Sequence, residues 1–188
     1  MRTLGRVLIL IVAIACIGPL VKQCSESRPP KMLPGYVGGS DAPSDPWSYN
    51  EYPDEISAKT IHQARIASSN AFQFKPPYQG IQHAILVLQT HPRNGKSVIL
   101  QISKGQFLCD LSSCSVTVRF GDGKPQSWPA SESSDHDRTI LFIGQYDSFV
   151  SSLGRSKVVR IEPTIYQEGN VAMTFPIAGF NPAKYAGK

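Results

Sequence analysis

Between residues 116 and 178 apolar side chains recur at every second position in several short runs divided by turn-forming residues. A period of two buries one face and wets the other only in an extended chain, where side chains alternate across the strand. Val116, Val118 and Phe120 alternate with Thr117 and Arg119. Val159, Ile161 and Ile165 fall on one face, with Arg160, Glu162, Thr164 and Tyr166 on the other. Val171, Met173, Phe175 and Ile177 alternate with Ala172, Thr174, Pro176 and Ala178. These patterns predict half-buried antiparallel strands. Residues 85–89 (ILVLQ) and 97–103 (SVILQIS) predict two more, joined through Asn94-Gly95, which supplies the positive φ of a hairpin turn. Gly121-Asp122-Gly123 does the same after Phe120, and Gln167-Glu168-Gly169-Asn170 joins the last two strands.

Residues 57–74 fit either a short helix or a strand, and partial alternation over 59–67 favours strand. One helix is expected at 146–153. Asp147 would cap its start, Phe149, Val150 and Leu153 form its apolar stripe, and Gly154 stops it. Pro163 and Pro176 suit edge or non-bonding positions, since proline donates nothing to a ladder. The fold class is therefore mainly β: an antiparallel β-sandwich or open barrel with one short helix. The domain spans 47–182, long enough to bury a single core, and 183–188 is a tail.

An apolar helix and a flexible linker precede it. Arg2 and Arg6 lead into residues 7–15 (VLILIVAIA), and Lys22 ends the apolar stretch. A basic start followed by an apolar run is an export signal. Three readings of 1–23 are open. An uncleaved anchor over 4–21 comes first, with its start cytoplasmic by the positive-inside rule. The second is a lipoprotein signal, because Ala13-Ile14-Ala15-Cys16 resembles a lipobox with Cys16 as the lipidated residue. The third is cleavage near Ala15 and release. All three export the remainder, so in a Gram-negative envelope the domain is periplasmic; the anchor reading fixes it to the inner membrane and the lipoprotein reading to a lipid. Residues 24–46 hold Pro29, Pro30, Pro34, Pro43 and Pro46 with Gly35, Gly38 and Gly39, and show no apolar periodicity. They read as a tether. About 20 residues at roughly 3 Å each reach ~60 Å.

The net charge is +5, from 19 basic and 14 acidic residues, with no basic run of the kind that grips nucleic acid. Cys109 and Cys114 are separated by four residues, Phe107 precedes them and a strand follows. In an oxidising compartment the pair is expected to form a disulfide across a hairpin. A redox pair prefers two intervening residues at a helix start, and a zinc site needs four ligands. Asn94-Gly95-Lys96-Ser97 echoes a P-loop end but lacks its earlier glycine and its helix. Asp135-His136-Asp137-Arg138 reads as a solvated loop, and the histidines at 62, 83, 91 and 136 show no ligand spacing and read as surface or turn residues. No cofactor, metal or catalytic residue is expected. Arg160, Tyr166 and Glu168, on the polar face and turn of the last hairpin, are the candidate partner contacts.

Several stretches in this order resemble a group of uncharacterised bacterial envelope proteins. They are Gly105-Gln106-Phe107-Leu108-Cys109, residues 114–120, Leu141-Phe142-Ile143, Tyr166-Gln167-Glu168-Gly169, Phe175 and Gly179-Phe180, with Trp47-Ser48-Tyr49 near the start of the module. More distantly, residues 47–180 look like the invasion-associated locus B family and an accessory protein of type VI secretion. The resemblance implies an exported β-sandwich-like domain and transfers no catalytic residue. The expected role is a membrane-tethered periplasmic binding, accessory or assembly factor without chemistry of its own, facing an envelope protein partner, with a sheet edge as one contact route. The alternatives are an envelope hydrolase or glycan-binding domain built from residues that converge only in space, and a toxin-neutralising or exclusion factor.

Overall fold

The computed structural model describes residues 46–109 and 113–185 of the 188. The apolar segment 1–23, Cys16 and the tether up to residue 45 lie outside the described residues. Among the described residues no helix is long and apolar enough to cross a membrane.

The chain runs β1 (Ser48–Pro53), β2 (Thr60–Ala67), β3 (Phe72–Gln73), β4 (Ile81–Gln82), β5 (Ile85–His91), β6 (Gly95–Gln101), β7 (Ser115–Phe120), β8 (Gln126–Glu132) and β9 (Ile140–Ile143). Then come α1 (Tyr146–Leu153), β10 (Val159–Glu162), β11 (Thr164–Ile165), β12 (Gly169–Asn170), β13 (Met173–Phe175) and α2 (Pro182–Tyr185). Nine strands form one antiparallel sheet in the order β1-β2-β5-β6-β9-β8-β7-β10-β13. The expected mainly β, antiparallel fold is present, and residues 57–74 form strands Thr60–Ala67 and Phe72–Gln73 joined by a bend, with no helix.

β8 serves two neighbours in turn. Its first half pairs with β7, from Val118↔Gln126 to Ser115↔Pro129, and its second half pairs with β9, from Ala130↔Ile143 to Glu132↔Leu141. Pro129 stands at the changeover, where the missing N–H breaks no ladder bond. Its carbonyl accepts from Gly144 N, and Ala130 N donates to Cys114 O. Beyond β13 the outer edge is fastened by the segment after β2. Ser69 N donates to Thr174 O, Asn70 Nδ2 to Ala172 O, and Thr174 N to Asn70 Oδ1.

Alternation puts Ala64, Ile66, Leu86, Leu88, Val98 and Leu100 on one face of β2, β5 and β6, in a core shared with Val116, Val118, Val159, Ile161, Met173 and Phe175. Phe149 and Leu153 of α1 complete it, Phe149 packing edge-on against Phe120 and Trp128. Trp47 is buried, and its indole donates to Ile177 O.

Five local expectations differ from the structure. Helix α1 starts after Gln145, which takes a left-handed φ of 58° without a side-chain cap. Asp147 sits instead in the first turn, where its charge favours the helix N-terminus. Residues 159–166 are divided at Pro163 into β10 and β11, and the final strand is only Met173–Phe175, ending at Pro176. The turn at 167–170 therefore joins β11 to β12, pairing Thr164 with Asn170 and Ile165 with Gly169. The Cys109–Cys114 disulfide is present with Cα atoms 4.8 Å apart. However, Phe107 bridges to Ile165, so the bond ties the start of β7 to the β11 segment rather than closing a hairpin. Finally, α2 crosses the expected boundary at 182. Tyr185 is buried and its hydroxyl meets those of Tyr146 and Thr90, so residues 183–185 fold with the domain.

Asn70→Ala removes the acceptor of Thr174 N and the donor to Ala172 O. It should lower stability by about 1–2 kcal/mol, read as a lower midpoint in urea with an unchanged m-value.

Candidate functional site

β2 is buried on both faces. Ala64 and Ile66 point into the core, while Ile61, Gln63 and Arg65 fall on the opposite face and are also buried. Paired residues of an antiparallel ladder share a face. The register therefore lines Arg65 up with Val87 and Ile99, Gln63 with Gln89 and Ser97, and Ala67 with Ile85 and Gln101. Val87 is 0% exposed, Gln63 1% and Arg65 5%.

Polar groups on that face are incompletely matched. Gln63 Nε2 donates to Gln89 Oε1 at 2.6 Å. Gln63 Oε1, Gln101 Oε1 and Arg65 Nη1 are buried with no hydrogen-bond partner among the described residues. The Arg65 guanidinium forms no ion pair with an acidic side chain among the described residues. Burial lowers its proton affinity, and the nearby Tyr52 phenol opposes this. An arginine nevertheless keeps its proton inside proteins, so the site holds a buried positive charge. Burial in turn raises the Tyr52 pKa, and Arg65 draws it back down.

Arg65 and Gln101 line a cavity of about 180 Å³ beside Ile81, Ile85 and Ile102. Its walls are braced. Gln82 Oε1 accepts from Ser103 N, Ser103 Oγ and Lys104 N, while its Nε2 donates to Lys104 O. His83 Nδ1 lies 2.8 Å from Ser68 O, and because a carbonyl only accepts, this nitrogen carries the proton. The sequence reading passed over Arg65. The signal was available: Gln63 and Arg65 share a strand face with Ile61 and are flanked by Ala64 and Ile66.

A second arginine offers the contrast. Arg93 grips Asp54 with Nε at 2.7 Å from Oδ2 and Nη2 at 2.8 Å from Oδ1. Ser57 donates to Oδ2 through both N and Oγ. These bonds, Arg93 foremost, hold the Asp54 carboxyl well below the usual range. His91 Nε2 lies 4.0 Å from Asp54, and its Nδ1 accepts from Arg93 N and Asn94 N. His91 is thus a brace of the β5–β6 turn, more enclosed than a surface histidine, and the cluster is fully matched.

The three sequence-chosen contacts have separate partners within the fold. Arg160 is half-buried, and its Nη1 donates to Gly121 O at the β7–β8 turn. Glu168 Oε1 accepts from Lys75 N at 2.7 Å, and Tyr166 is 43% exposed with its backbone N bound to Gln106 O. Asp137 Oδ1 accepts from the N and Oγ1 of Thr139, which folds its loop on itself. Among the described residues no group of three His, Cys, Asp or Glu side chains is placed to hold a metal ion.

No family model matches the chain, and no curated protein matches it. Among solved structures, the crystal structure of invasion associated protein B from Bartonella henselae is similar to it, with 15% sequence identity and a TM-score of 0.45 over 74% of this chain and 89% of that one.

Two substitutions separate the arginines. Arg65→Met removes an unpaired buried charge and keeps most of the volume, so without ligand it should stabilise the protein by about 1–3 kcal/mol in urea unfolding. Asp54→Asn should act the other way. The native pKa of Asp54 is lowered, so its contribution is present above the ordinary value of 3.8 and lost as pH falls below it. The drop in melting temperature between about pH 6 and about pH 2.5 should be smaller in Asp54→Asn than in the parent.

Proposed function

We propose that the chain is an envelope protein, anchored through residues 1–23, whose β domain stands in the periplasm on the 24–46 tether. There it acts as a non-enzymatic binding and accessory factor for another envelope component. The observation that carries this reading is the braced cavity holding the uncompensated Arg65 charge. A rigid sheet with a buried polar group left unmatched is built for a ligand, because matching that group within the fold would cost less than leaving it bare. The export segment and tether support a position set relative to the membrane. As a finer reading of the fold, the Ser69–Asn70 bonds to the β13 segment support an open barrel over a sandwich of two separate sheets.

The test is photo-crosslinking in cells, with a photoreactive residue at Ile81, Arg160 or Tyr166 in the full chain and mass spectrometry of the adducts. Ile81 borders the cavity and is 76% exposed. One recurring envelope protein at Ile81 is expected. A well-expressed and exported chain that yields no protein adduct at any of the three positions would overturn the reading.

A further inference from the structure

Strands β7 and β10 bring two arginines side by side. Arg160 stands directly opposite Arg119 in the antiparallel register. Paired residues share a face, and like charges directly opposite destabilise a sheet. Both guanidiniums turn to one acceptor, Gly121 O, with Arg119 Nε at 3.3 Å and Arg160 Nη1 at 3.2 Å. A single carbonyl dipole fixes their positions without cancelling their charges. Among the described residues the one acid in ion-pair range of either is Asp122, 3.9 Å from Arg119 Nη2 and fully exposed. An exposed pair of that length contributes little.

The neighbouring loops add to this charge. Gly121 N donates to Val158 O, which docks the β7–β8 turn onto the loop between α1 and β10. The turn carries Lys124, the loop carries Arg155 and Lys157, and all three are exposed. Residues 119–124 and 155–160 hold five of the thirteen basic residues in the described part of the chain and one of its ten acidic residues. The remainder of that part has eight basic and nine acidic residues, so the positive excess of the domain lies at this corner.

The position of the corner selects what it faces. Ala178 N donates to Lys157 O, and the neighbouring carbonyl, Ile177 O, accepts from the Trp47 indole. Trp47 is where the 24–46 tether joins the domain. The basic corner therefore lies beside the point at which the chain arrives from residues 1–23. Lys124, Arg155 and Lys157 are spread over two surface loops, which suits a broad sheet of negative charge rather than one small ion. A tethered domain meets its own membrane at high effective concentration, an advantage that a soluble acidic partner lacks. Each Lys or Arg near an anionic bilayer strengthens binding about fivefold.

We propose that the corner formed by Arg119, Lys124, Arg155, Lys157 and Arg160 docks the β domain onto the anionic lipid headgroups of the membrane that holds residues 1–23. The inference rests on the anchoring part of the functional reading and not on the Arg65 cavity.

The experiment is resonance energy transfer in the full chain, reconstituted into vesicles of phosphatidylcholine alone or with about 30% phosphatidylglycerol. A fluorescent residue at the exposed Gln126 is the donor, and a headgroup-labelled lipid is the acceptor. Transfer should be higher in the anionic vesicles. It should fall to the neutral value in about 0.5 M salt, where screening shortens to roughly 4 Å. Lys124→Glu, Arg155→Glu and Lys157→Glu together should weaken docking at least about a hundredfold and abolish the difference between vesicles. A melting temperature close to the parent's shows that this variant is folded, and the salt dependence of the parent does not rely on it. A chain with Lys59→Glu, Lys75→Glu and Arg138→Glu has the same net charge and should keep the difference. The proposal is overturned by equal transfer in both vesicles, by a difference that persists in high salt, or by equal loss in the two triple variants. Flotation with the neutral vesicles tests the anchor separately. A chain that floats but ignores lipid charge discards the docking while the anchor stands; a chain that does not float discards both.

Discussion

Three residues after β2 hold the domain in its shape. Ser68 N donates to Ala84 O, Ser68 Oγ accepts from Ala84 N and donates to Asn70 O, and Ser68 O binds the His83 ring. Ser69 and Asn70 then reach Thr174 and Ala172 beside β13. One short segment therefore joins β2, the start of β5 and the far end of a nine-stranded sheet. Each bond is modest alone, about 1 kcal/mol net, but each satisfies a backbone group that burial would otherwise leave bare. The sheet edge at β13, a site open to unwanted pairing, is covered by the same contacts.

That closure also makes the cavity. His83 is fixed by Ser68, and Gln82 is fixed by Ser103 and Lys104, so the walls around Arg65 owe their positions to bonds made elsewhere. The two arginines show the division of labour. Arg93, in a matched cluster with Asp54 and Ser57, holds the turn after β1 against the β5–β6 hairpin. Arg65, on the strand face of Val87, Ile99 and the glutamines, has no acidic partner among the described residues and exposes the fold to a desolvation cost. Groups that work against folding and are held by a rigid surround are where binding is found.

The strands were readable because their apolar residues alternate, and the hairpin at Gly95 and the helix Tyr146–Leu153 followed from turn chemistry and a helical stripe. The misreadings share a cause. Residues 159–166 alternate without a break, yet Pro163 is itself buried and divides the run, because a proline inside a ladder forces its neighbours to different partners. Asp147 has the chemistry of a cap, but the left-handed Gln145 starts the helix two residues too early to use it. Tyr185 reads as tail from the sequence because four helical residues carry no periodic signal, while its burial comes from contact with Thr90 and Tyr146, distant in sequence.

By itself the sequence determined the β class, the hairpin turns, the disulfide-bonded cysteines and the absence of a nucleic-acid charge run, because periodicity, turn residues and charge are local properties. Only the tertiary structure decided that β2 is buried on both faces, that Asp54 belongs to Arg93, and that Arg65 has no acidic partner among the described residues. Those outcomes depend on strand order and register, which bring residues 65, 81 and 101 to one cavity, and no spacing along the chain encodes that convergence.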